Sequence, residues 1–225
     1  MKPIRSIVLV DDGAGADVTP AILAQIAAAC QLQIYQDFSP FWGNPGVTVV
    51  EGPAPAAGDP SVPVYVRASS DVAGAAGYHD DQGIFVFRDG LPGLTSGPFS
   101  LSVVISHEIL ETLGDPGANR FADAGGGVEY AIELCDAVES SCYEVGGVSV
   151  SAFLLPSWFD PEGSAPFAFG AAPRKPFTLD PAGYQIVRQV TAAATQVSAL
   201  HAPRPERLAA KRHPSSRTSR RGCAL

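Results

Sequence analysis

Leu101-Ser102-Val103-Val104-Ile105-Ser106-His107-Glu108-Ile109-Leu110-Glu111-Thr112-Leu113-Gly114 is the stretch on which the reading of this chain turns. At 100° per residue, the apolar side chains at 101, 103, 104, 105, 109, 110 and 113 surround a helix on most sides, and a helix apolar nearly all round is buried. The stretch predicts a helix over 100–115, with Ser100 and Ser102 offering N-terminal caps and Gly114 closing it before a turn at Asp115-Pro116. His107, Glu111 and, if the helix runs that far, Asp115 fall within an arc of roughly 80°, with Glu108 beside them. Ionisable groups in such surroundings are strongly penalised unless they are paired or hold a cation. His107 and Glu111, four residues apart, can reach one ion from successive turns. A buried His/Glu/Asp hydrogen-bond network without metal is the alternative.

Outward from this helix the chain mixes strands and helices in an α+β pattern and ends in an irregular C-terminal half. Ile4 to Val10 is a branched apolar run stopped by Asp11-Asp12-Gly13, the signature of a buried strand. Thr19-Pro20 then caps an amphipathic helix whose apolar positions are Ile22, Leu23, Ile26, Cys30 and Ile34. Val47 to Val50 and Val62 to Arg67 are strands. Gly77 to Gly83 is a turn leading into the strand Ile84 to Arg88. Further strands are expected near Val128 to Cys135, Val148 to Leu155 and Tyr184 to Val187. Trp158 and Phe159, aromatic among prolines, read as core packing more readily than as cleft lining.

With 225 residues and 46% hydrophobic content, the chain can bury one full core. One domain over 1–200 and a tail over 201–225 are expected. The formal charge of −8 hides an asymmetry: the tail carries seven Lys/Arg against one acid, leaving eight basic and 22 acidic residues, a net of −14, in 1–200. An acidic body suits cations and argues against a nucleic-acid groove, so only the basic tail could touch nucleic acid or an acidic partner. That tail is rich in Pro, Arg and Ser and reads as disordered. The opening apolar run is too short for a signal peptide, and nothing reaches the length of a membrane span. Cys30, Cys135, Cys142 and Cys223 show no CxxC spacing. They read as thiols of a reducing cytoplasm, with a Cys135–Cys142 bridge open in an oxidising one.

The segment His107-Glu108-Ile109-Leu110-Glu111 resembles the zincin metallopeptidases, whose signature is His-Glu-x-x-His on a buried helix. Glutamate stands here where the second histidine would be. A wider Ser-His-Glu-x-Leu-Glu-x-Leu-x-Asp-Pro pattern, from Ser106 to Pro116, resembles a group of bacterial and phage proteins. That similarity continues through Gly117-Ala118-Asn119-Arg120, Glu133-Leu134-Cys135-Asp136 and Ser157-Trp158-Phe159-Asp160 to Gly183-Tyr184, about half of the chain. The order of strand, helix, strands, edge strand and active helix also follows the zincin pattern, which implies a mixed β-sheet with Ile84 to Arg88 as its edge strand, packed on the buried helix.

The resemblance implies a metal-dependent peptidase acting on a peptide or protein substrate. In it, the metal polarises a water and the substrate carbonyl, and Glu108 takes the water's proton and delivers it to the leaving amine. His107 and Glu111 would be ligands. In the thermolysin-like branch an acid some twenty residues further on completes the set, which implies Glu133 as third ligand, Asp136 as its supporting partner with the two roles exchangeable, and Asp115 in reserve. Zinc is the ion implied, though one imidazole with two carboxylates is a harder set that leaves manganese, magnesium or calcium open. His79, Phe85 and Phe87 would contact substrate along the edge strand; beside Asp80 and Asp81, His79 also fits a polar surface turn. The second reading is a non-catalytic zincin relative, a structural or binding protein of phage origin, and it moves the expected location from the cytoplasm to a virion particle.

Overall fold

The protein is described by a computed structural model over residues 4–72, 74–190 and 195–198. The expected basic tail, Cys223 and the boundary near residue 200 lie outside the described residues. The architecture is α+β, built on a five-stranded mixed sheet of order β2-β1-β3-β5-β4.

Strand β1 (Ser6–Asp11) lies at the sheet's interior. It ends where the Asp11 carboxylate turns back to accept from the backbone N–H groups of Gly13 and Ala14, at 3.1 and 3.0 Å. Helix α1 (Pro20–Gln33) starts on a Thr19 hydroxyl that accepts from Ile22 N–H, with proline at its first turn, and passes through one π turn (Ile34–Phe38) into the short α2 (Ser39–Trp42). Strands β2 (Thr48–Glu51) and β3 (Val62–Arg67) flank β1 on either side, both parallel to it. Strand β5 (Gly83–Phe87) joins β3 in parallel, and β4 (Gly77–Asp80) runs antiparallel along the outside of β5.

This arrangement corrects two expectations. Gly77 to Asp80 is a strand of its own rather than part of a turn, and it, not Ile84 to Arg88, forms the sheet edge. Phe85 and Phe87 therefore have a strand on both sides and lie buried among Tyr65 and Tyr78, away from any edge where substrate could pair. The short Tyr78-His79-Asp80 run lacks the branched apolar residues that mark a strand in sequence, and its pairing comes from the hairpin with β5.

Helix α3 (Leu101–Gly114) is buried at all 14 positions. Leu101, Val104, Ile105 and Ile109 join Leu23 and Ile26 of α1 and Ile7, Leu9, Val64, Val66, Ile84 and Val86 of the sheet in one core. The helix also packs against the hairpin β8 (Cys142–Val145) and β9 (Val148–Ser151). Its serines work differently from the expected caps. Ser102 Oγ donates to Ser149 O at 2.6 Å and Ser106 Oγ accepts from Ser151 N–H at 2.7 Å, so two hydroxyls satisfy buried backbone groups of β9 that face the helix. Ser100 takes the N-cap position without capping through its side chain.

Beyond α3, β6 (Phe121–Asp123) and β7 (Val128–Ala131) form a hairpin that continues through β12 (Tyr184–Gln189) to β13 (Thr195–Ser198). The small β10 (Phe153–Leu154) pairs with β11 (Ala168–Phe169). Trp158 is fully buried, its ring against Tyr130, Phe159 and Phe177, as core packing requires. Cys30, Cys135 and Cys142 are free thiols. Among the described residues, no helix is long and apolar enough to cross a membrane.

Gly114 ends the helix for a reason other than a left-handed cap: a Cβ there would sit 2.4 Å from Leu134 Cδ1, and Leu134 is itself fully buried. Gly114→Ala should therefore destabilise the fold by about 1–3 kcal/mol, the usual cost of overpacking. Urea unfolding reads this as a lower midpoint, and an unchanged midpoint would mean that Leu134 can move aside.

Candidate metal centre

Two groups of side chains meet along α3, and both contain Glu111. In the first, His107 Nε2 lies 3.1 Å from Glu111 Oε1 and 3.3 Å from Asp136 Oδ1. The helix sets the first contact, since residues four apart stack on successive turns. The second is made by a single 3-10 turn (Asp136–Val138), which starts at the point where the chain returns to α3. Cys135 Sγ donates to the backbone carbonyl of His107 at 3.8 Å and ties that turn to the helix. All three ionisable groups of this set are buried to 0% exposure.

In the second group, His79 of β4 brings Nδ1 to 3.2 Å from Glu108 Oε2, the imidazole N–H donating to the carboxylate. Gly77 makes this approach possible, because a Cβ there would lie 3.1 Å from both Cγ and Oε1 of Glu108. The edge strand thus lies directly on the Glu108 side chain. His79 is 3% exposed, which excludes the polar surface turn expected of it. Its surroundings are set by a helix distant in sequence, so its neighbours Asp80 and Asp81 gave the wrong signal.

Each group places one ligand atom per residue within 4.8 Å of the others: His107, Glu111 and Asp136 in one, His79, Glu108 and Glu111 in the other. Tetrahedral ligand atoms at about 2.0–2.2 Å from one ion stand about 3.3–3.6 Å apart, close to the 3.1 and 3.3 Å contacts of His107 with Glu111 and Asp136. A nitrogen and two carboxylate oxygens suit a borderline divalent ion.

Other expected site residues stand elsewhere. Glu133, expected as third ligand, belongs to neither group among the described residues, and Asp136 stands where it was placed. The exchange follows from the backbone: Glu133 precedes the turn, with its carbonyl accepting from Gln185 Nε2 at 3.4 Å, and Asp136 opens the turn that faces His107. Asp115 lies outside α3, with φ −139° and ψ 76°, and so leaves the helical arc. Its Oδ2 accepts from Arg120 N–H at 2.7 Å and organises the turn after the helix.

Burial and the neighbouring Asp136 carboxylate raise the Glu111 pKa above the ordinary glutamate value, with His107 pulling it down. Burial likewise holds the Cys135 thiol well above its usual range, so it stays protonated beside the cluster. Comparison with protein-family models, curated proteins and solved structures finds no match to this chain.

A carboxyl whose pKa is raised on folding favours the folded state at low pH. That contribution is lost as pH rises from the unfolded value, about 4.3, through the folded one. At neutral pH the metal-free chain therefore carries a cost at Glu111 that it does not carry at low pH. Glu111→Gln should raise the melting temperature of chelator-treated protein at pH 7 by about 2–4 °C, equivalent to about 1 kcal/mol. The same variant should lose the stabilisation that added metal gives the wild type. Thermal melts with chelator and with metal check both signs, and a variant that melts lower in chelator would contradict the cost assigned to this carboxylate.

Proposed function

We propose that this chain is a metal-dependent peptidase of the zincin kind, with a divalent cation held by His107, Glu111 and Asp136 and with Glu108 as the general base. The observation that carries the reading is the fully buried His107 imidazole with carboxylate oxygens of Glu111 and Asp136 3.1 and 3.3 Å from its Nε2. Such a concentration of ionisable groups in an apolar interior calls for a compensating cation. The His-Glu-x-x-Glu sequence on a buried helix and the edge strand lying on that helix support it further.

A cation in this set supplies Lewis acidity toward a water and a substrate carbonyl. The protein's part is to orient and to move protons. Glu108 follows His107 on the helix and is not among the three ligands, so in this reading its carboxylate takes the proton of the attacking water and returns it to the departing amine. His79 holds one oxygen of that carboxylate from β4 and so orients it. Asp136 and Glu111 fix the His107 ring from two sides. Zinc suits the nitrogen ligand, and manganese, magnesium or calcium suit the carboxylates.

One observation favours the second reading, a non-catalytic structural or binding protein. His107, Glu108, Glu111 and Asp136 are 0% exposed and His79 3%, so a peptide reaches Glu108 only if β4 moves off it. The two readings differ in Glu108→Gln. For a peptidase, the wild type cleaves peptides, chelation stops it, and this variant loses at least about 10²-fold in kcat, the usual contribution of a general base. Its metal content and melting temperature stay as they were. Full turnover in Glu108→Gln overturns the role of this residue. A wild type that cleaves no member of a broad peptide library, and whose melting temperature falls on chelation, establishes the structural reading instead.

A further inference from the structure

We propose that His79, Glu108 and Glu111 form a second divalent-cation site beside the first, sharing Glu111 with it, and that filling this site inhibits hydrolysis by engaging Glu108. The inference rests on the reading of the first set as a metal centre and of Glu108 as its base.

Three observations carry it. The ligand atoms of His79, Glu108 and Glu111 lie within 4.8 Å of one another. His79 is 3% exposed and turns its Nδ1 to Glu108 Oε2 at 3.2 Å, so a buried imidazole nitrogen already faces the carboxylates. Glu111 Oε1 faces His107, and its Oε2, also fully buried, makes no hydrogen bond. A carboxylate with two oxygens and one occupied direction is the type of group that bridges two ions, and bridged pairs of ions stand about 3.5–4 Å apart.

Charge balance points the same way. When ionised, the carboxylates of Glu108, Glu111 and Asp136 bring three negative charges into a space closed to water, and one dication leaves one of them uncompensated. A second dication offsets that charge and leaves one positive charge over. It binds more weakly than the first, because two dications on one carboxylate repel each other and because His79 and Glu108 must give up their contact of 3.2 Å to accept it. Once bound, it holds the Glu108 oxygens as ligands, and Glu108 can no longer accept a proton from water. Low concentrations of metal then activate and higher ones inhibit.

The test is equilibrium dialysis of metal-free full-length protein against rising free zinc, with elemental analysis of the bound metal. The expected result is a tight equivalent and a weaker second one in the wild type. His79→Ala should keep the tight equivalent and lose the weak one. His79→Gln, which retains a donor for Glu108 but not the imidazole, should behave the same way and serves should the alanine variant fold poorly. His107→Ala should lose the tight equivalent. Turnover by the wild type should fall by at least about a hundredfold as the second equivalent binds, the loss expected for an occupied base, and should not fall in His79→Gln. One equivalent in the wild type, kept in both His79 variants and lost in His107→Ala, would overturn the second site and leave the first intact. One equivalent lost in the His79 variants but kept in His107→Ala, or none at all, would overturn both.

Discussion

The structure is organised by the burial of charge on a helix whose every residue is inside. An apolar helix in that position would stabilise the fold through its surface alone, but α3 also takes His107, Glu108 and Glu111 out of water. Each of these must be met by a group from elsewhere, and those groups come from distant parts of the chain: His79 from the edge strand and Asp136 from the turn before β8. The elements around α3 are therefore constrained twice, by apolar packing and by the need to deliver one particular side chain. The close contacts of Gly77 with Glu108 and of Gly114 with Leu134 show how little room that double requirement leaves.

Polar groups without charge obey the same constraint. Among the described residues, β9 pairs with no strand besides β8, and Ser102 and Ser106 of α3 satisfy its backbone on the helix side. A helix so engaged, with strands on two sides and a carboxylate cluster at its centre, is well suited to hold ligand atoms in fixed positions, because none of its residues is free to follow solvent. The same enclosure restricts access. Any peptide that reaches Glu108 must do so where β4 covers it, which makes the edge strand both the support of His79 and the cover over Glu108.

Much of this was legible in the sequence. The apolar positions of 101–114 specify a buried helix, and the i, i+4 spacing of His107 and Glu111 brings them together whatever surrounds them. Branched apolar runs located β1, β2 and β3 within a residue or two. The misreadings have a common cause. The edge strand and the burial of His79 depend on which distant element lies opposite, and local pattern carries no record of that; the choice between Glu133 and Asp136, which the sequence left exchangeable, depends on it too. Gly77-Tyr78-His79-Asp80 looks like a turn because its strand character comes from pairing with β5. Gly114 looks like a cap, although the structure requires it for contact with Leu134. Asp115 looked like a member of the helical arc until the helix ended one residue before it.

The central claim is that His107, Glu111 and Asp136 are the ligands of a metal ion. X-ray absorption at the metal edge, on protein purified without added metal and loaded with no more than one equivalent, tests it most directly. The account predicts a first shell of nitrogen and oxygen at about 2.0–2.2 Å with the outer-shell scattering of one imidazole, lost in His107→Ala. A sulfur scatterer at about 2.3 Å, which would put Cys135 on the ion, or a spectrum unchanged in His107→Ala would contradict it.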